Sequence, residues 1–457
     1  MSAAVGAGSS AWAAVRGRQV LVDGALRPAT VTIAEGRVSG VEAVDHPVAG
    51  PVLDVPDAAY VLPGVVDTHV HVNEPGRTHW EGFATATRAA HAGGVTTLVD
   101  MPLNSVPPTT TVAGLRAKQE AAAGRLAVDV AFWGGAVPGN LADLEPLHEA
   151  GVLGFKCFLS PSGVAEFPPL DPAGFEEALA EVARLDALMV VHAEDPAVLD
   201  AAPHPPSRAY ADFLLSRPDE AETTAVRRVL DGARATGARV HVLHLSSARA
   251  VDLLADARAE GLPVTVETCP HYLCLEADAI PDAAPEFKCC PPIRDRANRE
   301  RLWEALLAGV VDVVVSDHSP TTAEEKARGG GDLQQAWGGV AGLQVGFTAV
   351  AAEAAARGIG IERVAQWMAT GTADLVGLPG KGRIAPGTDA DLVVHDPTAT
   401  TEVRAADLAH RNPVSPYDGL TLAGRVTHTL VRGSSVVDHA RGRMLDRTAG
   451  PALGRTA

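Results

Sequence analysis

Eight short apolar runs, separated by stretches of helical character, constrain the fold of this chain more than any other feature. They fall at 61–73, 94–101, 126–136, 151–159, 187–194, 238–247, 262–268 and 310–319. The segments 79–92, 113–124, 172–185, 219–236, 247–260 and 296–308 have helix composition and period, and several open on helix-start residues or close on Gly. Strands that alternate with helices of this length are parallel and covered on both faces. Eight such units predict an α/β fold, a (β/α)8 TIM barrel, whose chemistry collects at the C-terminal ends of the strands.

Metal-competent side chains stand at those ends. His69 and His71 close the first run, and residues two apart in an extended segment point to the same side. Later runs offer Lys156, His192, His244 and Asp317 at corresponding places, so the pattern locates one site. Runs 94–101, 126–136 and 262–268 carry no evident ligand. A lone lysine usually pairs with a carboxylate, but Lys156 lies inside an apolar strand of a chain with four histidines at other strand ends. Of the 16 histidines, His91, His148, His204, His410 and His439 have no patterned partner and are assigned to surface or packing. His241 precedes His244 by three positions, which in a regular strand turns it to the opposite face. His271 and His318 are expected near the site without coordinating.

At 457 residues the chain exceeds a barrel of about 250. The surplus lies at both ends, where 19–56, 380–396 and 425–438 alternate as short strands with turns. A small β-sandwich built from both termini follows, with expected boundaries 1–60, 61–375 and 376–457. The formal net charge of -18 argues against nucleic acid or an anionic membrane as partner. No stretch approaches a membrane span, and residues 1–10 lack the basic start and apolar core of a signal peptide. Five cysteines suit free thiols in a reducing compartment, so the expected setting is cytoplasmic. Cys289 and Cys290 are adjacent and would point to opposite faces of an extended chain, which argues against a zinc site there.

The ordered motifs His69-Val-His-Val-Asn-Glu-Pro-Gly-Arg77, Met101-Pro-Leu-Asn-Ser105, Gly154-Phe-Lys-Cys-Phe158, Cys269-Pro-His-Tyr272, Lys288-Cys-Cys-Pro-Pro-Ile-Arg294, Ser316-Asp-His-Ser-Pro320 and Trp337-Gly-Gly-Val-Ala-Gly342 cover almost the whole chain. In these the sequence resembles the cyclic amidohydrolases, and within them the members that open allantoin. The resemblance implies two divalent metal ions and a Lys156 carboxylated by carbon dioxide. An unmodified lysine is a strongly hydrated ammonium and a poor ligand, whereas a carbamate offers two anionic oxygens that bridge two ions. His69, His71 and Asp317 would hold one ion, and His192 with His244 the other. Imidazole and carboxylate suit zinc, and also cobalt, manganese, nickel or iron. Two ions would activate water and polarise a carbonyl, with Asp317 as the catalytic proton carrier. The resemblance also implies a homo-oligomer, a tetramer.

Ring preference is argued from departures within the family. Dihydroorotases carry Arg at the position of Asn73 and Asn at that of Cys290, and those side chains hold a carboxylate. This chain has neither, and an unpaired buried carboxylate costs several kcal/mol. A neutral ureide with a hydrogen-bonding arm, as in allantoin, is therefore the expected substrate, with Asn73 able to donate to and accept from the arm. Hydantoinases and dihydropyrimidinases are the alternative, yet they place a ring-stacking Tyr a few positions after the lysine where this chain has Leu159. By the same resemblance, Cys290 and Gly338 contact the ring through backbone. Arg77 is expected at the mouth or paired with Glu74 or Glu81. Non-catalytic scaffold relatives have lost metal ligands, and all six candidates are present here.

Overall fold

The computed structural model describes residues 11–437 and 441–447; residues 1–10 and His439, on which expectations were stated, lie outside them. All eight expected strands form: Val65–Val70, Val95–Asp100, Asp129–Phe132 running on as Gly134–Gly135, Phe155–Phe158, Leu188–His192, Arg239–Val242, Val264–Thr268 and Val313–Val314. Every ladder between them is parallel. Their residues are almost all buried, as strands covered by helices require. The ladder divides at Trp133, where the third strand changes partner. A parallel bridge between Val70 and His318 then brings the last strand back to the first. The Asp67 carboxylate clamps the same seam by accepting from Ser316 N and His69 N, each at 3.2 Å.

Local chemistry sets the helix ends. Asp219–Thr236 has Asp219, Glu220 and Glu222 in its first turn, favourable to the helix dipole, and ends on Gly237 at φ 73°. Pro172–Arg184 starts on Asp171, whose side chain accepts from Gly174 N, with proline just inside. The helix expected from residue 79 begins at Phe83, because Glu74 reaches across nine residues to accept from Phe83 N at 2.9 Å.

The chain ends build one seven-stranded sheet. Leu392–Glu402 pairs antiparallel with both Thr421–Leu430 and Tyr60–Pro63, joining the C-terminal strands to the N-terminal ones. At the far edge, Arg37–Glu42 returns to the segment before Leu392: Val38 N donates to Thr388 O and Ala390 N to Gly36 O, both at 2.9 Å. The sheet thus curls around its own apolar core, and the two layers of the expected sandwich are two sides of one sheet. An ion cluster pins it to the barrel. Lys381 Nζ lies 2.6 Å from Asp129 on the third barrel strand and 2.7 Å from Asp391, while Arg432 Nη1 is 2.6 Å from Asp129.

Candidate metal centre

Five of the candidate ligands stand at or just beyond the C-terminal end of a barrel strand, Lys156 lies inside Phe155–Phe158, and the barrel brings them together. His69 Nε2 lies 3.2 Å from Asp317 Oδ1 and 3.4 Å from Lys156 Nζ. His71 Nε2 is 3.7 Å from the same Asp317 oxygen. Ligand atoms of His69, His71 and Asp317 lie within 4.8 Å of one another. On the other side, His192 Nδ1 and His244 Nε2 are 3.0 Å apart, and the rings of His69 and His244 sit 5.4 Å centre to centre. All six residues are buried.

Burial decides their charge. It pushes the Lys156 ammonium down to about 8, although Asp317 and Glu267 oppose the shift. It lowers His71 and His244 well below the ordinary imidazole range, with nearby Lys156 and His69 reinforcing the first and His192 and His69 the second. It raises Asp317 above the usual carboxylate range against the pull of His69 and Lys156. His71 and His244 thus offer neutral imidazole nitrogens, and the Nδ1 atom of each is unpartnered. Such a donor set fits divalent ions of the zinc type.

Two carboxylates behind the imidazoles set ring orientation. Glu267 Oε1 is 2.5 Å from His69 Nδ1 and accepts from His244 N at 3.1 Å; Oε2 is 3.0 Å from His241 Nε2. Burial alone would raise Glu267, but His69 and His241 bring it down to about 2. Glu194 Oε2 lies 2.8 Å from His192 Nε2 and 2.6 Å from Arg217 Nη1. It too is brought to about 2 against burial, by Arg217 and His192.

These contacts correct two expectations. Run 262–268, assigned no ligand, supplies the carboxylate that braces two histidines. His241 belongs to that network because strand alternation ends at Val242 and His244 has φ 36°, so spacing by three no longer separates the faces. Glu267 is legible only as a lone acid in an apolar strand, and neither Glu194 nor Arg217 stands out in sequence.

A cavity of about 340 Å³ opens onto the cluster and is lined by His71, Lys156, His192, His244 and Asp317, and also by Cys290 and Gly338. Asn73 is not among the lining residues; it is buried at φ 66° with Nδ2 donating to Pro320 O at 3.3 Å. Arg217 and Lys288, which sequence reasoning missed, line the cavity as cations. Arg217 is held by Glu194, and Lys288 Nζ donates to Gln334 O and Ala336 O at 3.1 and 2.6 Å. Arg77 pairs with Glu166 and donates to Asn104 O at 2.7 Å, while Glu74 pairs with Arg125 and Glu81 faces His318. His271 is buried with both ring nitrogens unpartnered and pushed down by burial to about 3.

Residues 60–436 match the amidohydrolase family. The chain belongs to the amidohydrolase family. This amidohydrolase is 53% identical over 439 residues to an allantoinase of Streptomyces avermitilis, covering 95% of this chain and 98% of that one. It is 45% identical over 447 residues to an allantoinase of Saccharomyces cerevisiae, covering 94% and 96%. Among solved structures it resembles the L-hydantoinase (dihydropyrimidinase) of Arthrobacter aurescens, with TM-score 0.87 and 31% identity over 96% of this chain and 99% of that one. Among the described residues, no helix is long and apolar enough to cross a membrane.

Proposed function

We propose that this amidohydrolase opens the hydantoin ring of allantoin with water to give allantoate. The observation that carries the reading is the convergence of His71, Lys156, His192, His244 and Asp317 on one cavity, with His69 behind them against Asp317 and Lys156, in a chain whose curated relatives at 53% and 45% identity are allantoinases.

His69, His71 and Asp317 would hold one divalent ion and His192 with His244 a second, with Lys156 between them. When bound, such a pair supplies an acidified water molecule and a polarised carbonyl. Lys156 prepares its own modification: burial leaves part of its amine uncharged, and that nitrogen adds to carbon dioxide with loss of a proton, giving a carbamate. Zinc is the first candidate by donor type. Asp317, raised by burial and set beside His69, accepts a proton from attacking water and delivers it to the departing ring nitrogen, without which an amide nitrogen leaves poorly. Cys290 and Gly338 contact the ring through backbone. Asn73 acts through the loop after Asp317, since its amide is engaged by Pro320 O.

All residues given a role fall within 61–375, which we assign to the barrel, and we assign the described residues before and after it to the flanking unit. We extend the reading to a homotetramer, by resemblance, and to a cytoplasmic setting, which five free cysteines suit. The test is turnover on allantoin, hydantoin, dihydrouracil and dihydroorotate, with metal analysis of the purified protein. Allantoin should be the fastest substrate and dihydroorotate very poor, with two divalent ions per chain. Faster turnover of hydantoin or dihydrouracil would move the enzyme to the hydantoinases, and less than one ion per chain would remove the binuclear centre.

A further inference from the structure

The segment that follows Asp317 forms one wall of the cavity, through Ser319, Arg328, Gln335, Trp337 and Gly338 among others. Buried lysines lash it down. Lys326 Nζ donates to Pro285 O at 3.1 Å and Gly339 O at 2.5 Å, and Lys288 Nζ holds Gln334 O and Ala336 O. Trp337 N itself donates to Glu325 O at 3.1 Å, so the backbone carrying this indole is fixed on both sides.

The indole is also fixed laterally. Trp80 lies 5.0 Å from it, centre to centre, and the Arg328 guanidinium stands 5.7 Å from its ring centre. Trp80 in turn carries Arg77 at 5.2 Å, and Arg77 is tied to Asn104 O and Glu166. This row of cations and tilted indoles links the loops after the first, second, fourth and eighth barrel strands. Gly163, at φ 90°, lies beside one ring edge, where a Cβ would stand 3.5 Å from Trp337.

Besides histidines, the aromatic residues lining the cavity are Phe158 and Trp337. Phe158 is already engaged, stacked on His192 at 4.6 Å with the Lys156 amine 4.9 Å from its ring centre. Leu159 offers no ring in the neighbouring position. Phe158 is also buried, whereas Trp337 is half-buried and presents part of its ring to the cavity despite its contacts with Trp80 and Arg328.

We propose that Trp337 is a specificity-determining residue, holding the planar ureido arm of the substrate against its indole face while the hydantoin ring lies at the six donors. The inference rests on allantoin being the substrate. A planar urea gains dispersion and N–H to π contact on an indole, and unsubstituted hydantoin has no arm to place there. Arg217 and Arg328, the arginines lining the cavity, are each paired with a carboxylate, Glu194 and Glu325, which suits a neutral arm there.

The experiment compares kcat/KM for allantoin with that for hydantoin in wild type, Trp337→Ala, Trp337→Leu and Trp337→Phe. Trp337→Ala should lower the allantoin-to-hydantoin ratio about tenfold, mostly through KM for allantoin, as expected when a ground-state contact is lost. Trp337→Leu, closer in volume but without a π face, should lower it comparably and carries the test if the alanine variant fails to fold. Trp337→Phe should recover most of the ratio. A ratio unmoved in the leucine variant, or equal losses on both substrates, would overturn the assignment and make Trp337 a structural wall. A wild type that opens hydantoin but not allantoin would instead overturn the substrate reading, and this inference with it.

Discussion

Two clusters of buried ionisable side chains in this molecule obey opposite rules. At the strand ends, burial moves Lys156, His71, His244 and Asp317 each toward its uncharged form. At the junction between barrel and sheet, Asp129 is held below the usual carboxylate range and Lys381 and Arg432 above theirs, toward their charged forms and against burial, with Asp391 beside them the exception, raised by burial. Pairing makes the difference. Lys381 Nζ has Asp129, Asp389 and Asp391 within 2.8 Å, whereas the six strand-end donors include one carboxylate, Asp317, and Glu267 and Glu194 reach only His69 and His192 among them by side-chain contact. Donor proximity alone does not separate the two, because Asp129, Asp389 and Asp391 also lie within reach of a common ion. There the lysine already fills the place of the cation. A self-neutralised cluster joins parts of the fold, and a set that burial moves toward uncharged donors is one that a metal would complete.

The comparison is broken most severely at Lys156. Lys156→Ala should lose bound metal and activity together, and short carboxylic acids added to the variant should restore a little of both by standing in for the carbamate oxygens. Two ions retained at near-normal turnover would dissolve the distinction between the clusters. Asp317→Asn comes next: it keeps an oxygen in place but cannot accept a proton, so turnover should fall roughly 100 to 10,000-fold. Wild-type turnover would move the proton carrier elsewhere, with His318 tested next.

The difference between the clusters was only half visible in the sequence. Ligands such as His192 and Asp317 were legible because each ends an apolar run, and a parallel barrel turns that one-dimensional regularity into convergence at a rim. The eight strands were legible for the same reason. Glu267 was not, since its partner His69 is 198 positions away and nothing local to Val264–Thr268 marks the contact. His241 was misplaced because alternation holds only while φ stays extended, and His244 leaves that region. The junction cluster draws Asp129, Lys381 and Arg432 from three distant segments, each unremarkable alone.

Lys381→Met tests the structural cluster. Removing the cation leaves Asp129 buried with the Arg432 guanidinium and Asp391 buried while accepting from Arg432 N, a loss of about 3–5 kcal/mol for a broken buried pair. Urea unfolding should show a lower midpoint at similar slope. Metal per folded chain should stay near that of the wild type. Metal lost in step with stability would mean that the junction and the strand-end centre are one cooperative unit.

The smallest effect is expected at Glu267, the residue that shares features of both clusters. It is ionised and fully paired like Asp129, yet its partners His69 and His244 belong to the metal set. Glu267→Gln keeps the shape and one accepting oxygen for His69 and His244 N, and His241 can change tautomer to face the new amide donor. What disappears is the negative charge that makes the opposite nitrogen of His69 more electron-rich. Metal affinity, measured by competition with a chelator, should therefore weaken about 10 to 100-fold, while the urea midpoint moves less than in Lys381→Met. The reverse outcome, several kcal/mol of stability lost with metal affinity intact, would assign Glu267 to the structural class and leave the orientation of His69 to packing alone.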